Sequence, residues 1–182
     1  MGPRVRGDDS SSFFGTSMTP QLRPGLLAAL LTVALDQASK LWLIHGYGLG
    51  GRGVVPVLPF FDLVLAWNTG ISYGWFQTES TLGQAILLVI KAAAVVALAI
   101  WMARSNTRLA TIGLGLIIGG AIGNAIDRFA YGAVADFALL HAQIGGQRYN
   151  WYVFNLADVA IVAGVLGLLY DSFRAPDAAK AP

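Results

Sequence analysis

The 182-residue sequence contains no cysteine, which excludes disulfides, thiolate-bound metal and a cysteine nucleophile. It is also poor in charge. Asp, Glu, Lys and Arg make up 12% of the chain, about half the share of an ordinary soluble domain. The only histidines are His45 and His141, and no HExxH motif is present, so no metal or other cofactor is expected. A formal charge of +2 without a basic cluster excludes nucleic acid as a partner. What remains is apolar: 55% of residues are hydrophobic and the mean hydropathy is +0.60. One small core cannot hide that much apolar surface, so the solvent expected for this chain is lipid.

Four long apolar runs predict four transmembrane helices at 25–45, 82–103, 109–129 and 153–173. Residues 1–24 and 174–182 read as polar tails. Between the first two runs, Val54–Trp67 carries Val, Leu and Phe with Pro56 and Pro59 and predicts one or two short strands. Asn68-Thr69-Gly70 is a turn signal. Between the last two, Asp136–His141 and Arg148–Tyr152 flank Gly145-Gly146 like a hairpin. Lys and Arg concentrate in the two tails and the Arg104–Arg108 turn, while the longer connections carry only Arg52 and Arg148. The positive-inside rule then puts both termini in the cytoplasm and the longer connections outside. Gly115, Gly119 and Gly123 recur at every fourth position and predict a close helix-packing ridge.

Two segments repeat one spacing. Gly119–Arg128 reads GGAIGNAIDR and Phe154–Asp158 reads FNLAD, each with Asn-x-x-Asp. Three residues apart on a helix means one shared face. Helix rise from the basic ends puts Asp127 and Asp158 at similar depth, roughly 24–28 Å away, near the outer edge of the hydrocarbon. An acid inside a membrane is costly and calls for a reason. A charged and a neutral carboxyl sharing a water would be an aspartic-protease arrangement. Two other readings stand beside it. Asn155 and Asp158 can cap the fourth helix, with Asp127 neutralised by Arg128; or the acids can serve a proton or ion relay. Asp36 and Lys40, four apart, can pair on the first helix, for structure or for substrate. Gly70–Gly74 reads GISYG, and with Asp136 and His141 it follows the order of a serine hydrolase, but no βαβ unit supports that elbow.

Taken together, DQASK (Asp36–Lys40), NTGISYG (Asn68–Gly74), GGAIGNAIDR, ADF (Ala135–Phe137) and FNLAD resemble the motifs of lipoprotein signal peptidase, the type II signal peptidase of bacterial inner membranes. The resemblance implies an all-α membrane protein of four transmembrane helices with a small periplasmic β-cradle and a short extramembrane helix. Residues 25–173 would then be the peptidase domain, acting as a monomer. It would cleave a prolipoprotein before its diacylglyceryl-modified cysteine, without metal or covalent intermediate, and its partners would be that lipidated substrate and membrane lipid. On the matching positions Asp127 and Asp158 would be catalytic. Asp36, Lys40, Asn68, Gly70, Asn124, Arg128, Asp136 and Asn155 would bind substrate or support the site. Ile71, Ser72 and Tyr73 depart from the small residues and Phe usual in that motif, and Lys91 matches nothing in the pattern.

Overall fold

The computed structural model describes residues 22–69 and 81–174. Gly70, Ser72, Tyr73 and the aromatic residues Trp75 and Phe76 lie outside them, as does the side chain of Lys91. The long helices are α1 (Leu22–Leu41), α2 (Thr81–Arg104), α3 (Arg108–Tyr131) and α4 (Leu156–Arg174). The strands are β1 (Val55–Leu58), β2 (Phe61–Asn68), β3 (Val134–Ile144) and β4 (Gln147–Phe154). Among the described residues, three helical stretches are long and apolar enough to cross a membrane: Leu22–Gly46, Arg108–Tyr131 and Leu156–Arg174. Within α2 the apolar helix Ala92–Arg104 is shorter. Leu27, Leu30 and Leu31 on α1 and Val162, Leu166 and Leu169 on α4 point outward. Such continuous exposed apolar faces fit a hydrocarbon solvent.

Helix α3 is the hub, packed most extensively against α1 and α4. Its glycines make this possible. A Cβ on Gly115 would collide with the Gly25 carbonyl oxygen, one on Gly119 would lie 2.6 Å from the Ala29 oxygen, and one on Gly123 would lie 2.5 Å from Asp36 Oδ2. The expected ridge therefore seats α1. Gly113 and Gly120 do the same toward α4, where added Cβ atoms would stand 2.9 Å from the Gly164 oxygen and 2.5 Å from the Ala157 oxygen. Thr107 caps α3, its side chain accepting from the Ala110 N–H at 3.1 Å, and Gly132 ends it with a left-handed φ of 73°.

The strands form one antiparallel sheet in the order β1-β2-β3-β4, so the all-α label covers only the helical layer. The connections carry runs of β-branched, aromatic and leucine residues long enough to pair with one another. Gly145 and Gly146, with φ of 61° and 80°, close β3 onto β4 where Ile144 pairs with Gln147, as a two-residue hairpin requires. Helix α4 starts at Leu156 rather than at residue 153, because Val153 and Phe154 complete β4 opposite Leu139 and Ala138. The expected short extramembrane helix has no α-helical counterpart among the described residues; a π-helical extension of α1 (Trp42–Gly46) and a single 3-10 turn (Leu49–Gly51) precede β1.

Gly115→Ala should lower stability by about 1–3 kcal/mol, the usual cost of overpacking, whereas Gly51→Ala, which faces open space, should stay within about 0.5 kcal/mol of wild type. Thermal unfolding in detergent checks the contrast.

Candidate active site

The polar residues singled out from the sequence converge where the C-terminal ends of α1 and α3 and the N-terminal end of α4 meet β2 and β3. Asp36, Lys40, Asp127, Asp136 and Asn155 are all at most 4% exposed. Buried polar groups need partners, and these form two layers.

The first layer is ionic. Lys40 Nζ lies 2.8 Å from both Asp36 Oδ2 and Asp127 Oδ2, so the i,i+4 pair expected on α1 forms and extends to α3. Gln37, which the motif contains but its spacing did not single out, donates to Asp127 Oδ1 at 2.9 Å and to the Gly123 carbonyl at 3.1 Å. Asp127 is thus ion-paired with Lys40. The Arg128 guanidinium donates to the Asn124 carbonyl oxygen at 3.3 Å and attracts the Asp136, Asp158 and Asp127 carboxyls.

The second layer is made of amides and two further carboxyls. Lys40 also donates to Asn124 Oδ1 at 3.1 Å. An ammonium only donates, so the Asn124 amide must turn its NH2 the other way, toward Asp158 Oδ1 at 3.1 Å. The Asn155 side-chain oxygen accepts from the Asp158 N–H at 3.1 Å, and Asp158 Oδ2 accepts from the Asn155 N–H at 3.2 Å. This is a capping box at the start of α4. The capping reading of FNLAD is therefore correct, and it leaves Asp158 Oδ1 facing the site. The Asn155 NH2 reaches Asp136 Oδ1 at 2.6 Å and Asn124 Oδ1 at 3.1 Å. From β2, Asn68 donates to Asp136 Oδ2 at 3.2 Å. Its register, with Ala66 opposite Asp136 and Asn68 opposite Val134, makes the two side chains diagonal neighbours on one sheet face.

Asp136 and Asp158 also feel each other. Burial, and then the charge of Asp158, raise the Asp136 carboxyl to about 6. Asp158 is half-buried and borders a groove of about 300 Å³ whose walls include Leu140, Trp151, Phe154, Val162 and Leu166. The groove runs from the sheet down α4 and is lined almost wholly by apolar side chains. Asp127, 1% exposed, has no such outlook.

The other sequence candidates are accounted for elsewhere. His141 Nε2 lies 3.3 Å from Asp62 Oδ1, not beside Asp136, and Arg148 donates to the second Asp62 oxygen. These three tie β2, β3 and β4 together. Toward the opposite end of the helices, Thr111 donates to the Arg108 carbonyl and Thr107 to Asp171, so those polar groups serve helix ends rather than a relay. Among the described residues no cluster of His, Cys, Asp and Glu suits a metal ion. Asp136 is a lone acid within the apolar strand segment VADFALL, a position that the Asn-x-x-Asp spacing does not pick out.

A family model described as signal peptidase (SPase) II matches residues 28–174. The lipoprotein signal peptidase of Nitrobacter hamburgensis is 73% identical over 91% of this chain and all of that protein. That of Rhodopseudomonas palustris is 70% identical over the same shares. A solved structure of a bacterial membrane enzyme superposes with a TM-score of 0.72 at 23% identity, covering 88% of this chain and 94% of that one.

Because the folded Asp136 carboxyl titrates near 6 instead of 3.8, its protonated form favours the folded state. Its contribution to stability should be full below pH 3.8, fall as pH rises to about 6, and then level off. That part of the pH dependence of thermal unfolding should be missing from Asp136→Asn.

Proposed function

The chain belongs to the signal peptidase II family, aspartic peptidases that remove signal peptides from prolipoproteins, and on that premise we propose that Asp136 and Asp158 are its catalytic pair. The observation that carries this is the contrast between the acids. Asp127 is locked in a buried ion pair with Lys40. Asp136 is held by neutral amides, is raised to about 6 and lies beside a second carboxyl that opens onto an apolar groove. An acid and a base of differing proton affinity are what hydrolysis by water needs.

In this reading Asp158 is the base and Asp136 the acid. The Asp158 carboxylate takes a proton from water as the oxygen bonds to the scissile carbonyl carbon. Asp136 gives its proton to the carbonyl oxygen, forming a neutral tetrahedral diol. Collapse of the diol breaks the C–N bond, returns a proton to Asp136 and delivers the proton on Asp158 to the leaving amine. Asn124 and Asn155 hold the carboxyls in place throughout. The groove along α4 takes the apolar part of the lipidated substrate, which is cut before its diacylglyceryl-modified cysteine.

The same reading makes all four long helices spans, α2 included, with residues 25–173 as a monomeric peptidase domain in contact with lipid. Both termini are cytoplasmic and the sheet is periplasmic. The skew of Lys and Arg toward the tails and the turn between α2 and α3 supports this orientation.

Asp136→Asn and Asp158→Asn should each slow processing of a lipidated prolipoprotein by purified protein about 10²–10⁴-fold, the range for a lost acid or base; normal turnover by either would refute the pairing. The native chain has no cysteine, so single substitutions report orientation cleanly. Gly146→Cys should react with an impermeant thiol reagent added outside spheroplasts, and Ser105→Cys should react only after lysis.

A further inference from the structure

The ionic layer beneath the site repeats one contact twice. Asp127 Oδ2 accepts the N–H of Ala135 at 3.1 Å, and Ala135 immediately precedes Asp136. Asp36 Oδ1 accepts the N–H of Ala157 at 3.0 Å, and Ala157 immediately precedes Asp158. Lys40 Nζ stands 2.8 Å from an oxygen of each acid. One ammonium therefore bridges two carboxylates, and each carboxylate grips the backbone next to one of the two reacting side chains.

From this geometry we infer that Asp36 and Asp127 are a matched pair of positioning residues, and that Lys40 sets the spacing between the Asp136 and Asp158 backbones. The inference rests on the catalytic pairing proposed above and assigns how that pair is held. Ala135 is 1% exposed and Ala157 0%, so water cannot stand in for a lost acceptor, and an orphaned buried N–H is costly. Ala157 supplies one of the donors that every helix start leaves unmatched, and its acceptor comes from α1 rather than from α4 itself. Ala135 lies at the start of β3, one residue beyond Val134, which pairs with Asn68. Moving Asp127 would thus shift both Asp136 and the strand edge that presents Asn68.

At Asp127 one oxygen, Oδ2, meets both the Ala135 N–H and Lys40, so a carboxamide can keep both contacts. At Asp36 the two contacts use different oxygens, so asparagine keeps the backbone contact and gives up Lys40. Alanine keeps neither contact at either position. The two substitutions therefore separate holding from proton transfer. Full-length protein in detergent, assayed on a lipidated prolipoprotein, gives kcat and KM for Asp127→Asn, Asp127→Ala, Asp36→Asn and Asp36→Ala. Asp127→Asn should hold kcat within about tenfold of wild type and the alanine variants lose about a hundredfold, the scale of a 1 Å misplacement, with Asp36→Asn, which keeps only the backbone contact, between them. KM should change little throughout. Where an alanine variant fails to fold, its asparagine counterpart decides. Positioning is overturned if Asp127→Asn is as inactive as Asp136→Asn and Asp158→Asn. Should those last two process normally instead, the catalytic pairing itself falls, and this inference with it.

Discussion

The structure depends on a buried ammonium held between carboxylates of two different helices. Lys40 is 2% exposed and its partners Asp36 and Asp127 are 0% and 1% exposed. Removing one partner from such a cluster leaves a charge without solvent, which is among the costlier defects a protein can carry. The pairing demands that α1 and α3 touch at backbone distance, and Gly123 packed directly on Asp36 meets that demand. Small residues and buried charge are therefore one arrangement: the glycines permit the approach and the ion pairs fix its outcome.

The sheet enters the same arrangement from the side. Asn155 is the only residue between β4 and α4, so strand and helix share a rigid joint. Its side chain caps the helix through the Asp158 N–H and holds Asp136 on β3. One amide thus couples the membrane layer to the strand layer at the point where the chemistry is proposed. The apolar groove beside Asp158 follows from this joint, because one wall is sheet and the other is helix.

Much of this was legible in the sequence. Apolar runs located the helices, Gly145-Gly146 located the hairpin, and the glycine ridge was recognisable from its spacing. The helix boundary at Asn155 was not, because Val153 and Phe154 are as apolar as the helix that follows and only cross-strand pairing with β3 claims them for the sheet. Equal spacing also suggested equal roles for the two Asn-x-x-Asp segments. Spacing reports which residues share a helix face; it does not report what that face meets. Asp127 meets Lys40, which lies far off in the chain, whereas Asp158 meets an amide and an open groove. The neighbours decide which acid is neutralised and which stays available.

The notches at Gly115, Gly119 and Gly123 have a mechanical consequence. They recur every four residues, a step of about 6 Å along the axis, so α1 has discrete seats on α3 and no smooth track between them. Sliding by a fraction of a step drives backbone into backbone, and sliding by a whole step carries Lys40 out of reach of Asp127. Thermal motion can therefore tilt or bow these helices while their axial alignment stays indexed, as in a gear whose teeth are made of missing side chains.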